Sequence, residues 1–170
     1  MKNLIPVLLF LLSTLTVSSQ NTYMVSTDPK NPQVLIFQGL VEKNALQQEK
    51  SFDWFTQNQK GYTPDSNLVN ALKINKGKVS FLIFGGTWCD DTQFILPKFY
   101  KAQELAGFSD TSIVFFGVDR EKKSTGNLSQ LFNIKNVPTI IVMKEGKEIG
   151  RVVEYGKTGK WDAELYDLVK

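Results

Sequence analysis

Two apolar stretches without alternation, "KVSFLIFGG" (78–86) and "SIVFFGVD" (112–119), constrain the fold of this chain more than any other feature. A strand with one wet face alternates apolar and polar residues, whereas an unbroken apolar run is buried on both faces. Between them, "CDDTQFILPKFYKAQELAG" (89–107) reads as a helix. Phe94, Ile95, Phe99 and Ala102 are spaced for one face, and Pro97 sits inside it. "GYTPDSNLVNALKI" (61–74) predicts an earlier helix, with Thr63 as N-cap and Pro64 at the first helical position. "GNLSQLFNI" (126–134) predicts a short one, and "TGKWDAELYDLVK" (158–170) a closing one with Trp161, Leu165 and Leu168 turned inward. "PTIIVMKEGKEIGRVVEY" (138–155) reads as a β-hairpin with "KEGK" at its turn. A four-residue turn cannot make a parallel crossover, so its two strands are antiparallel. From residue 63 the order is α, β, α, β, α, β, β, α. That pattern predicts an α/β domain with a mixed central sheet flanked by helices on both faces.

Upstream of that domain, "VLIFQGLV" (34–41) reads as a strand and residues 42–60 as helical, divided at Ser51, with Leu46, Phe52 and Phe55 as the apolar stripe. The aromatics of "SFDWF" (51–55) read as packing. Residues 34–60 are thus an added N-terminal strand and helical segment packed on a domain of residues 61–170. Residues 20–33, polar with two prolines, read as a flexible leader. The first 19 residues have Lys2, an uncharged apolar stretch from Leu4 to Val17, and Val17 and Ser19 at the −3 and −1 positions of a cut site. This reads as a signal peptide that leaves Gln20 first. The expectation is an exported protein, periplasmic or extracellular, with no integral membrane span after cleavage.

Composition removes several kinds of chemistry. The chain of 170 residues contains no histidine and one cysteine, Cys89. Imidazole bases, histidine metal ligands and multi-thiolate metal sites are therefore excluded, and no metal or other cofactor is expected. A net charge of +3 gives no reason to propose a nucleic-acid partner. "DREKK" (119–123) reads as a solvated loop. Cys89 stands out because it lies between a buried strand and a helix start, directly after Trp88. A thiolate rather than a thiol attacks disulfides, and the first turn of a helix favours negative charge.

These residues resemble the thioredoxin family over about residues 60–170. The resemblance rests on Trp88-Cys89 at a strand-to-helix junction, on Pro97 eight residues later, and on "LFNIKNVPT" leading into "NVPTIIVMKEGKEIGRVV". It implies a thioredoxin-like fold, with Pro138 as a cis-proline and Val137 beside it offering backbone to an extended substrate. Trp88 would wall that groove. Within the family, the chain resembles secreted bacterial thioredoxin-like proteins whose motif is "WCxDT". Three positions depart from the classical members: the resolving cysteine is Thr92, the buried acid six residues before the nucleophile is Ile83, and the nearby lysine is Phe115.

The resemblance implies Cys89 as nucleophile; Thr92 lies one turn on, where its hydroxyl or amide can hydrogen-bond the sulfur. Asp90 and Asp91 suit a helix N-terminus, yet their charge disfavours a thiolate, so they are also pKa modulators. The leading reading is monothiol exchange with disulfide-containing proteins or small thiols, resolved by an external reductant. Two others stand beside it. One is a binding module that uses the cis-proline groove without turnover. The other is a thiol peroxidase, because glutathione peroxidases also place threonine three residues after their cysteine or selenocysteine, but their further glutamine, tryptophan and asparagine motifs are missing.

Overall fold

The computed structural model describes residues 22–170, so the signal-peptide reading lies outside the described residues. Its elements are β1 (Tyr23–Asp28), β2 (Asn31–Leu40), α1 (Lys43–Gln48), α2 (Asp53–Gln59), α3 (Ser66–Ile74), β3 (Val79–Gly85), α4 (Asp90–Ala106), β4 (Ile113–Gly117), α5 (Leu128–Leu131), β5 (Thr139–Lys144), β6 (Lys147–Val153) and α6 (Trp161–Val169). The strands form one sheet in the order β1-β2-β4-β3-β5-β6. Only β3 and β4 run parallel; every other neighbouring pair is antiparallel, so the sheet is mixed.

The unbroken apolar runs have the expected cause. Along β3, Val79, Phe81 and Ile83 enter one core while Leu82 and Phe84 enter another on the opposite face. Strand β5 repeats this with Ile140 and Val142 against Ile141 and Met143. The larger core is closed by α1, α2, α3, α4 and α6, and it contains Phe52, Trp54 and Phe55 as packing residues. The smaller one gathers Phe84, Val118, Ile134, Val137 and Ile141, with Leu128 of α5, Trp88 and Cys89 packed against it.

Three local readings are corrected. Residues 23–33, expected as a flexible leader, form β1 and the start of β2, paired from Tyr23↔Gly39 onward. Most β1 side chains are exposed, so no apolar period marks the strand. The helix expected to be capped by Thr63 begins later. Asp65 caps α3, accepting from the backbone N–H groups of Asn67 (2.7 Å) and Leu68 (3.2 Å). Its short carboxylate reaches two orphan amides, which favours Asp65 as the cap. Phe94, expected on the inward face of its helix, is exposed and packs on Tyr155 instead.

Strand β2 reaches the parallel pair through a short contact, Gly39↔Gly117 and Leu40↔Phe116. Gly117 allows it, because a side chain there would collide with the Phe37 carbonyl. The crossing places β2 next to the turn between β3 and α4.

Candidate functional site

The site is built at the end of β3. After Gly85 the chain turns through residues 86–89, with the Cys89 N–H bonded to the Gly86 carbonyl at 2.9 Å. Cys89 is the N-cap of α4, and its carbonyl accepts from Gln93 N at 2.9 Å. A side chain at Gly86 would lie 2.5 Å from the Trp88 indole, so glycine lets the ring fold back over the turn. That ring is pinned by its Nε1–H, which donates to the Val118 carbonyl at 2.9 Å. Fully buried Thr87 anchors the turn from the other side. Its hydroxyl donates to Leu35 O (2.7 Å) and accepts from Phe37 N (3.2 Å), both in β2.

Cys89 is half-buried, and its thiol donates to the Val137 carbonyl at 3.3 Å. The Val137–Pro138 peptide is cis. The adjoining carbonyls of this loop are held as well: Asn136 O accepts from the Thr139 hydroxyl (2.7 Å) and Pro138 O from Glu154 N (2.7 Å). The fold therefore brings a cysteine from one end of the sheet against a loop 48 residues later in the chain.

Trp88, Cys89, Asp90 and Asp91 line one cleft of about 310 Å³, together with Arg120. Thr92 does not join them. It is fully buried, and its hydroxyl accepts from Gly86 N at 3.3 Å rather than bonding the sulfur. Its methyl sits where a side chain at Gly85 would be, so Thr92 braces the turn from beneath. The expected sulfur contact is replaced because α4 directs this side chain into the sheet, while Cys89 at the N-cap faces outward.

Two residues of the neighbourhood were not anticipated. Arg120, expected in a solvated loop, lies over the Trp88 ring, 4.4 Å from its centroid. Its guanidinium is bound by fully buried Asp28, with Nε 3.1 Å from each carboxylate oxygen and Nη2 on Oδ2. This hydrogen bonding holds Asp28 below the usual carboxylate range and raises Arg120 above its ordinary value, with smaller contributions to Arg120 from Cys89 and Asp90. The partners are 92 residues apart, and no local signal links them. The second residue is Tyr155, whose phenol is pushed up first by burial and then by the charge and hydrogen bond of Asp91. No local signal pointed to it, since Phe94, on which it packs, was expected to face inward. Among the described residues, no cluster of three His, Cys, Asp or Glu could hold a metal, and no helix is long and apolar enough to cross a membrane.

The profile of the thioredoxin family matches residues 64–165, more than half of the chain. The chain belongs to the thioredoxin family. That family includes thiol–disulfide oxidoreductases. Similar relatives include Thioredoxin H2-2 of Oryza sativa subsp. japonica, 36% identical over 84 residues, covering 49% of this chain and 58% of that protein. Thioredoxin H5 of Arabidopsis thaliana is 35% identical over 80 residues, covering 47% and 63%. The chain thus spans roughly three fifths of the length of these relatives. A crystal structure of an HIV epitope-scaffold, 18% identical, shares the fold with a TM-score of 0.52 over 75% of this chain and 89% of that one. The family match begins at residue 64, so β1, β2 and Asp28 lie outside it.

Proposed function

We propose that this protein is an exported thiol–disulfide exchange protein that works through Cys89 alone. The observation that carries the reading is the meeting of the Cys89 thiol with the Val137 carbonyl, beside Pro138, at the N-terminus of α4. A nucleophile and the backbone edge able to hold an extended substrate occupy one place. The hydrogen bond also couples them. A thiolate has no proton to donate, so ionisation of Cys89 frees the Val137 carbonyl to accept an N–H from the substrate.

In the proposed cycle, the Cys89 thiolate attacks one sulfur of a substrate disulfide. A bond forms between Cys89 and that sulfur, and the other leaves as a thiolate. Thr92 offers no second thiol, so an external thiol attacks the mixed disulfide, joins the substrate sulfur and returns Cys89 as thiolate. Trp88 walls the cleft, and Asp90 and Asp91 set its charge. Export rests on the leader at residues 1–19, for which the WCxDT resemblance is a second support. N-terminal sequencing of the secreted protein would give Gln20 first; a retained leader would overturn export.

The exchange reading is tested with a fluorescent mixed-disulfide substrate, followed by mass spectrometry of the adduct. Wild type should form a Cys89-linked adduct that excess small thiol releases, and Cys89→Ser should form none. A partner segment bound equally well by Cys89→Ser, with no adduct in wild type, would replace exchange by the binding-module reading. Rapid sulfenic acid formation at Cys89 with dilute peroxide, without exchange, would favour the peroxidase instead.

A further inference from the structure

An ion pair carries the N-terminal hairpin to the rim of the cleft. Asp28, at the end of β1, is fully buried and spends both carboxylate oxygens on Arg120. It also accepts from Lys30 N at 3.0 Å, which fixes the carboxylate within the hairpin turn. Arg120 is then held over the Trp88 ring and lines the cleft with Cys89, Asp90 and Asp91. Its Nε and Nη2 face Asp28, so the pair is a dipole whose positive end lies on the cleft side. Among the described residues, Arg120 is the only cation lining that cleft, where the two aspartates oppose a negative sulfur.

We propose that Asp28 and Arg120 form a positioning device, in which the hairpin holds a guanidinium against Trp88 so that its charge offsets Asp90 and Asp91 and sustains the reactive thiolate of Cys89. The inference rests on the exchange reading for its biological use, while its physical content is a charge effect on one sulfur. The groups facing Cys89 are Asp90 and Asp91 from α4, Arg120 from the loop after β4, and Tyr155 from the segment after β6. Arg120 supplies the positive member of this set.

The test is the rate of Cys89 alkylation by neutral iodoacetamide against pH, on folded mature protein. Arg120→Met should slow the reaction at pH 7 by about three- to tenfold and move the whole profile to higher pH, with the same plateau. A merely structural loss would change the plateau instead. Arg120→Lys, which keeps the charge but not the planar fork that Asp28 and Trp88 hold, should recover only part of the wild-type rate. Asp28→Asn gives a test of sign. Removing a carboxylate alone would favour the thiolate and speed the reaction, so slowing can arise only through a displaced Arg120.

Arg120→Met leaves Asp28 buried and unpaired, which threatens folding. The double variant Asp28→Asn with Arg120→Gln keeps a neutral hydrogen-bonding pair and should slow the reaction in the same direction, by less than Arg120→Met because a carboxylate is lost as well. An unchanged profile in the single or double variant would overturn the proposal, as would acceleration by Asp28→Asn. Wild type that alkylates normally but forms no mixed disulfide would sink the exchange reading alone. Intact exchange with an unchanged Arg120→Met profile would sink the positioning device alone.

Discussion

On one face of the sheet, Phe81, Ile83, Phe115, Ile140 and Val142 sink into a core closed by five helices. On the other, Leu82, Phe84, Phe116 and Ile141 meet a smaller cluster whose rim is Trp88 and Cys89. The same strands supply both, alternating residue by residue. The large face buries ring against ring: Phe81 lies 5.2 Å from Phe99 and 5.4 Å from Phe108, both fitted edge-on. The small face also stacks rings, Phe84 on Phe116 at 5.1 Å, but its rim ends in hydrogen bonds, from Trp88 to Val118 O and from Cys89 to Val137 O. Packing of the first kind resists change in volume, whereas the second kind sets where a few atoms point. The difference teaches that stability and reactivity can be perturbed separately in this chain.

The largest expected effect comes from breaking the large face. Phe81→Ala removes a fully buried ring at the centre of the sheet, and such a truncation costs about 3–5 kcal/mol. Urea unfolding should show that loss, while the alkylation rate of Cys89 in the protein that remains folded stays within about twofold. A reactivity change as large as the stability change would mean that the two faces act as one unit.

A smaller effect is expected at the joint between the family segment and the N-terminal hairpin. Thr87→Val deletes a hydroxyl that serves both Leu35 O and Phe37 N, leaving a buried amide and carbonyl without partners. The expected loss is about 1–3 kcal/mol, and Thr87→Ser should recover most of it. Hydrogen exchange at the Phe37 amide should accelerate in Thr87→Val and return toward wild type in Thr87→Ser. If the amide stays protected in Thr87→Val, the turn does not anchor the hairpin, and β2–β4 pairing with the Asp28–Arg120 pair holds it.

What could be seen in the sequence divides along similar lines. The two unbroken apolar runs, the closing hairpin and the placing of Cys89 between strand and helix are local patterns, and each is legible because neighbouring residues carry it. The first strand escaped notice because its side chains lie mostly in solvent and leave no period. Thr92 was visible as a residue type but not as a direction, since the register of α4 decides whether its hydroxyl meets the sulfur or Gly86 N. The Asp28–Arg120 pair joins two polar loops 92 residues apart, and only the folded sheet brings them together. Local period reveals the scaffold, while long-range pairing of charges completes the site.

The smallest expected effect sharpens the comparison from inside the large face. Tyr62 packs against that core, and its hydroxyl is a buried side-chain polar atom with no hydrogen-bond partner among the described residues. Burial, followed by the charges of Asp162 and Asp65, pushes its phenol up to about 12 from an ordinary 10.0. Because the folded value is the higher one, stability is fully present below pH 10, where the phenol is neutral in both states. It is lost as pH rises toward 12, where the unfolded chain ionises first. Tyr62→Phe removes both the unpaired hydroxyl and its titration. At pH 7 the variant should be as stable as wild type or up to about 1 kcal/mol more stable. Above pH 10 its denaturation midpoint should fall less steeply. Tyr100, also raised by burial, still titrates in the variant, so the decline is reduced rather than abolished. A loss of stability at pH 7 would show that the hydroxyl has a partner after all. The large face would then contain a polar contact of the kind that distinguishes the small one.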